Sequence, residues 1–233
     1  MKYITSILLT LLFCIFFAAA PAQEKIINAI KISNTYILLQ DGSAATEIKT
    51  QRKWKGNFCT TTVYNSSNKN VRLKEVVMFQ INHIFNGKTS FYAEGFQMLS
   101  QYHGTLAGPK LVGSYDDNKH YKLPQPDGYK AVYNMLILHG NEGSELLMGF
   151  NSSFKYTGKF YLNADTIKVV MDMENVLLKA GTSIQIEEFS LFTGKNINQL
   201  TAAFAKRINY FHRGYKAKMF LRAGAPGIAL VPG

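Results

Sequence analysis

Cysteine is almost missing from this sequence: it occurs twice, at positions 14 and 59. Cys14 falls in an apolar leader, so the mature chain is expected to keep Cys59 alone, and no intrachain disulfide can form. The core must hold the fold without staples. Phe58-Cys59-Thr60 reads as strand, and in an oxidising compartment a lone thiol is expected to be buried. Tryptophan is scarcer still, with Trp54 as the single residue. Carboxylates are also few, 15 Asp and Glu against 26 Lys and Arg, for a formal charge of +11. Such a balance suits nucleic acid or an anionic surface as partner. The cations are spread out, however: Lys49, Arg52, Lys53 and Lys55 are the densest group, with Lys206, Arg207, Arg213, Lys216, Lys218 and Arg222 near the end. No nucleic-acid motif accompanies them. Solvated surface charge is the expected role, with no nucleic-acid partner.

Long apolar runs are confined to the start. Lys2 supplies a positive charge, Ile4 to Phe17 is apolar apart from Thr5, Ser6 and Thr10, and Ala18 to Ala22 is a run of small residues. Ala20-Pro21-Ala22 before Gln23 has the small-x-small form of a signal-peptidase site, so 1–22 is expected to be a signal peptide cleaved after Ala22. The stretch is shorter than the ~20 residues a spanning helix needs. Bulky Phe13 before Cys14 argues against lipid attachment there. The expected location is secreted or periplasmic, with no membrane span after cleavage. A hydrophobic share of 47% suits a sizeable core, and the remaining ~210 residues suit one β-rich domain.

The usual catalytic signatures are missing too. Asn86-Gly87-Lys88-Thr89 resembles the end of a phosphate loop, but position 82 is asparagine where the leading glycine belongs. There is no Gly-x-Ser-x-Gly elbow and no histidine pair at helical spacing to hold zinc. His83, His103, His120, His139 and His212 are scattered. Asp116-Asp117 and Glu187-Glu188 are adjacent carboxylates, whereas glycosidic cleavage needs two facing carboxyls ~5–9.5 Å apart. Neighbours on a strand point to opposite faces, so these are expected to be surface or bulge residues. No catalytic residue, metal or cofactor is predicted.

Alternation of period two dominates from Lys25 to Phe192. In Val71–Asn82 the odd positions Val71, Leu73, Val77, Phe79 and Ile81 are apolar, which predicts one buried face and one wetter one. Similar patterns predict strands at Lys25–Ile32, Thr35–Gln40, Lys55–Asn65, Lys130–Leu138, Glu145–Asn151 and Thr166–Asp172, with turns at Asp41-Gly42, Asn86-Gly87 and Asn141-Glu142-Gly143. In Ser183–Phe192 the apolar parity switches from Ile184 and Ile186 to Phe189 and Leu191. A bulge at Glu187-Glu188 would absorb the switch. Ile197, Leu200, Phe204, Ile208 and Phe211 then recur at helical spacing, with Asn196 and Gln199 placed to cap. Phe204, Ile208 and Phe211 are expected to be only partly covered. The predicted class is mostly β, a large antiparallel β-sandwich (supersandwich) over 23–195 with one C-terminal helix over 196–212 and a linker-like tail over 213–233.

Loop 106–126 gathers Tyr115, Asp116, Asp117, His120 and Tyr121 between Gly108-Pro109 and Leu123-Pro124. Rings beside carboxylates suit sugar recognition, the ring under the apolar sugar face and the carboxylates on its hydroxyls. A structured loop with inward tyrosines and turn-holding aspartates fits as well. Trp54, among Arg52, Lys53 and Lys55, is either a second sugar platform or a packing residue.

Four segments carry a family resemblance. Tyr92-Ala93-Glu94-Gly95-Phe96-Gln97-Met98-Leu99-Ser100, with His103-Gly104-Thr105-Leu106 after it, resembles the amino-terminal domain of melibiase-type α-galactosidases, glycoside hydrolase family 36. So do Tyr115 to Pro124, Glu145 to Ser152, and Gly181 to Phe189. The resemblance implies a β-sandwich in front of a (β/α)₈ barrel that cleaves terminal α-galactosyl bonds, with both catalytic carboxylates on the barrel and an α-galactosyl carbohydrate as the partner. This chain departs after Arg222, where Ala223 to Gly233 carries no tryptophan-rich barrel strand. A barrel needs ~200 residues or more. The expected function is thus the non-catalytic sandwich domain of a truncated α-galactosidase-like hydrolase, inactive alone. The alternative is a stand-alone secreted carbohydrate-binding or surface-interaction module. Oligomeric state is left open.

Overall fold

The computed structural model describes residues 24–140 and 143–222. The expected signal segment 1–22, the tail from Ala223, and Asn141 and Glu142 of one expected turn lie outside the described residues. Residues 24–32 are helical (α1), where alternation predicts a strand. Ile26, Ile27 and Ile30 share one helical face. Ile30 is fully buried and the other two pack beside it, while Ile32 is 81% exposed. So short an apolar run fits both periods, and burial of the isoleucine face favours the helix.

Thirteen strands follow among the described residues, all antiparallel in their pairing. They are β1 (Asn34–Leu39), β2 (Ile48–Lys55), β3 (Phe58–Asn65), β4 (Val71–Asn82), β5 (Ser90–Glu94), β6 (Gln101–Thr105) and β7 (Gly108–Val112). After the short helix α2 (Asp117–His120) come β8 (Lys130–His139), β9 (Glu145–Phe150), β10 (Thr157–Leu162), β11 (Thr166–Leu178), β12 (Ser183–Gln185) and β13 (Phe189–Gly194). Hydrogen bonds join them in the order β1-β4-β11-β10-β8-β9-β13-β3-β12, with β2 on β3 and the β5-β6-β7 meander on β8.

Strand β8 turns this continuous sheet into two layers. Lys130 to Tyr133 pair with β10, and Met135 to His139 pair with β9. Between them Asn134 adopts φ 58°, a left-handed conformation that asparagine tolerates better than most side chains. From this point β10 leads into β11, β4 and β1, and β9 leads into β13, β3, β2 and β12. The two layers close over one core. Phe79 of β4 lies 5.1 Å from Phe189 of β13, and Phe150 of β9 lies 5.6 Å from Phe160 of β10, between ring centroids.

Two irregularities follow from this packing. On β4 the pairing register shifts between Leu73 and Glu75 and again between Val77 and Phe79. The strand therefore does not keep one buried and one wet face as alternation predicts: Leu73, Phe79 and Ile81 enter the core, while Val77 joins a second cluster on the outer face. The predicted bulge between β12 and β13 is present. Gln185 pairs with Thr62 and Phe189 with Cys59, so Ile186, Glu187 and Glu188 face only Thr60 and Thr61. The extra residue lets Ile186, Phe189 and Leu191 all reach the core, with Ile184 packed at its margin.

Helix α3 (Ile197–Arg222) is longer than the predicted 196–212. Asn196 caps it, its Oδ1 accepting from the N–H groups of Asn198 at 3.0 Å and Gln199 at 3.2 Å. Gly214 does not end the helix: a mid-helix glycine costs about 1 kcal/mol against alanine, and the following Lys-Ala-Lys-Met stretch is rich in good helix formers. Side chains of α3 are described as far as His212. Leu200 and Phe204 pack on Ile137, Leu147 and Phe192 of the second layer's outer face. Phe204 is 6% exposed, so it is buried rather than partly covered; Ile208 and Phe211 are half-buried. A Cβ on Gly149 would stand 2.4 Å from the Phe204 ring, so this close approach requires glycine.

Candidate functional site

The distinctive loop of the sequence is built around α2. Asp116 caps it, accepting from Lys119 N–H at 3.2 Å and from the Tyr102 hydroxyl at 2.7 Å, with the Lys130 ammonium 3.7 Å away. Burial pushes the Asp116 carboxyl up, but Tyr102, the Lys119 N–H and Lys130 outweigh it and hold the group below its ordinary value. Asp117 is fully buried and accepts from Ser100 Oγ, while its Oδ2 has no hydrogen-bond partner. Gly95 sits against this carboxylate; a Cβ there would lie 2.5 and 2.7 Å from the two oxygens. Asn118 Nδ2 donates to Ala131 O at 2.8 Å and ties α2 to β8.

These inward polar groups fix a series of rings that leads outward. Tyr133 lies buried on β8, Phe96 is 5.4 Å from it, Tyr121 is 5.6 Å from Phe96, His120 is 4.8 Å from Tyr121, and Tyr115 is 5.7 Å from His120. Tyr115 and Tyr121 are each 44% exposed, and the 3-10 turn Phe96–Met98 exposes Met98 beside Phe96. Five of the six residues singled out from the sequence thus come together, but with divided roles. Tyr115, His120 and Tyr121 face solvent; Asp116 and Asp117 face inward and hold the loop.

Trp54 is not among them. Its ring packs against Phe79 at 5.7 Å and Phe189 at 6.5 Å, the Lys31 ammonium lies 5.1 Å from its centroid, and its indole N–H is buried without a partner. The cavity lined by Ile26, Phe85 and Leu138 has about 30 Å³, room for a water rather than for the ~300 Å³ and more of a ligand pocket. The ring series, with Tyr115, His120 and Tyr121 exposed, is an open platform.

The other adjacent acids are buried at the bulge rather than on the surface. Glu187 accepts from Ser152 Oγ and from Lys155 N–H at 2.9 Å. Glu188 receives Asn151 Nδ2 at 2.6 Å and a two-point contact from Arg207 of α3, both bonds at 2.7 Å. Arg207 also stacks over Phe58, 4.1 Å from its centroid. This pair fastens α3 to the second layer.

Sequence reasoning missed a third cluster, on the outer face of the first layer. Lys159, 2% exposed, places Nζ 2.8 Å from Glu75 Oε1 and 2.7 Å from Asp172 Oδ2. The Tyr161 hydroxyl donates to Glu75 Oε1 at 2.7 Å. Burial raises the phenol pKa of Tyr133, to about 12, and Tyr161 is pushed up further by burial and by Glu75. These residues sit on β4, β10 and β11, and only Lys159 is the single charge in its strand.

No family model matches the chain, and no curated protein matches it. Among solved structures it is similar to a GH36 α-galactosidase from Geobacillus stearothermophilus, at 9% identity and a TM-score of 0.38, over 70% of this chain and 30% of that one. An α-galactosidase from Lactobacillus brevis is similar at 10% identity and a TM-score of 0.40, over 74% and 31%. An α-N-acetylgalactosaminidase from Bifidobacterium bifidum is similar at 9% identity and a TM-score of 0.43, over 77% and 34%. The chain thus spans about a third of the length of each.

Proposed function

We propose that this sandwich is the non-catalytic domain of an α-galactosidase-like glycoside hydrolase, exported by the segment 1–22, and that it meets carbohydrate on the Tyr115–His120–Tyr121 platform. The observation that carries this reading is a coincidence of position. The segments whose sequence resembles glycoside hydrolase family 36, Tyr92 to Leu106 and Tyr115 to Pro124, form β5, the 3-10 turn, β6 and α2, which together build the platform. A sugar's apolar face suits the two half-exposed tyrosines. The adjacent acids do not suit catalysis: Asp116, Asp117, Glu187 and Glu188 are each committed to capping, hydrogen bonds or an ion pair.

Retention of the chain on α-galactosyl agarose tests the platform. Tyr115→Ala with Tyr121→Ala should lower affinity about 5–150-fold, from ~0.5–1.5 kcal/mol per ring, while the circular dichroism spectrum stays that of the folded chain. Equal retention of the double variant would remove the platform from the reading. Turnover of an aryl α-galactoside by the purified chain, abolished by a substitution in it, would refute the non-catalytic role. A secreted product whose first residue, by mass spectrometry, is other than Gln23 would refute cleavage after Ala22. The stand-alone carbohydrate-binding or surface-interaction module is the second reading, favoured by one observation: α3 buries Leu200 and Phe204 on the sandwich itself.

A further inference from the structure

Helix α3 covers β9, β13 and, through Arg207, the Phe58 end of β3. The rest of the second layer's outer face is open. On β2 it presents Lys49, Gln51, Lys53 and Lys55, all exposed; on β3, Thr60, Thr62 and Tyr64; on β12, Ser183 and Gln185. The register aligns them in rows: Lys49 opposite Tyr64 and Ser183, and Gln51 opposite Thr62 and Gln185, with Lys53 opposite Thr60. Tyr64 is 37% exposed, and its hydroxyl lies 3.2 Å from Gln51 Oε1.

No carboxylate occurs in β2, β3 or β12, and none of the three lysines forms an ion pair among the described residues. At ~3.4 Å per residue, Lys53 and Lys55 stand about 7 Å apart and Lys49 about 14 Å further along. Lysines on an edge strand discourage pairing with other sheets, which accounts for cations on β2. It does not account for the hydroxyls, amides and ring set beside them on β3 and β12.

We propose that this face binds an acidic polysaccharide lying along the strands, its carboxylates or sulfates on Lys49, Lys53 and Lys55 and its hydroxyls on the Thr60, Thr62 and Gln185 rows. The flat open surface suits an extended chain rather than a compact ligand. A nucleic acid would call for several stacking rings, and Tyr64 is the only exposed ring here. An anionic membrane would call for apolar side chains to insert, and the face has none beyond that tyrosine. The site stands apart from the Tyr115 platform and does not depend on it.

Affinity electrophoresis of the mature chain through polygalacturonate, dextran sulfate and neutral dextran tests the proposal. An acidic polymer should retard the chain at low salt, neutral dextran should not, and high salt should release it. Lys49→Gln/Lys53→Gln/Lys55→Gln should lose about tenfold or more in affinity with an unchanged circular dichroism spectrum, and the matching arginine triple should keep it. If the glutamine triple misfolds, Lys53→Gln alone should still weaken retardation measurably. The control Lys88→Gln/Lys110→Gln/Lys179→Gln removes the same charge elsewhere and should leave affinity nearly unchanged. Equal losses in the two triples would reduce the effect to net charge and overturn the site. Tighter binding to a single-stranded oligonucleotide or to phosphatidylglycerol vesicles, or no retardation by either acidic polymer, would overturn it as well.

Discussion

Replacing Lys159 by methionine isolates the charge that the first layer holds inside. The wild-type ammonium is 2% exposed and serves Glu75, 10% exposed, and Asp172, 30% exposed. Removing one side of a buried pair costs about 3–5 kcal/mol, because the remaining ion loses its partner without regaining water. Asp172 is open enough to rehydrate, whereas Glu75 keeps only the Tyr161 hydroxyl. The expected loss therefore lies near the lower end, roughly 3 kcal/mol. At about 2–4 °C per kcal/mol for a domain of this size, the thermal midpoint should fall roughly 6–12 °C.

Lys159 contributes through its charge as well as its packing. Burial draws the Lys159 pKa down, but Glu75 and Asp172 more than reverse this and leave it above its ordinary value. A raised folded-state pKa contributes stability in full below the unfolded value of ~10.4 and loses it as pH rises through the folded value. Between pH 5 and 9 the wild-type contribution is thus constant. In Lys159→Met that contribution is lost and Glu75 is left without its counter-ion. Adding Glu75→Gln should recover part of it at pH 7. Urea unfolding followed by fluorescence measures each case. A deficit under ~1 kcal/mol, or one that Glu75→Gln does not reduce, would show that Lys159 is held by packing alone.

Two further predictions concern the second layer. Burial pushes the Cys59 thiol up to about 11, so a chain with Cys14 replaced by serine should resist maleimide when folded and label only at its unfolding rate; rapid labelling of the native state would contradict the burial. Arg207→Met should cost roughly 1–3 kcal/mol, less than a fully buried pair because Arg207 keeps 24% side-chain exposure, and should raise hydrogen exchange over 200–211 while the central strands stay protected. Unchanged exchange there would mean that Leu200 and Phe204 dock α3 without the Glu188 clamp.

What was legible in the sequence was local. The parity switch from Ile184 and Ile186 to Phe189 and Leu191 marked the bulge because both halves must reach one core. The Ile197, Leu200 and Phe204 spacing marked α3 because its apolar stripe and its Asn196 cap lie within a few residues. Where two periods fit one short run, as at 24–32, only the packing of Ile30 decides. Strand β2 escaped notice because its outer face is cationic and its inner face holds Arg52, whose guanidinium donates to the carbonyls of Met78 and Ser33 at 2.8 Å each. The clusters of charge were illegible for another reason: their partners are distant in sequence. Tyr161 meets Glu75 across 86 positions and Asn151 meets Glu188 across 37, and no local pattern encodes such pairs.

The placement of acids inside the molecule has a consequence for its outside. Among the described residues four carboxylates, Glu75, Asp117, Glu187 and Glu188, are buried, whereas Lys159 is the one buried cation. Folding therefore withdraws negative charge from the surface faster than positive charge, and the exposed balance is more cationic than the formal +11 suggests. Two of these acids, Glu187 and Glu188, are held at the bulge by Ser152, Asn151 and Arg207. The internal hydrogen bonds that join α3 to the sandwich and the cationic character of its open face are in this sense one allocation of a small stock of acids.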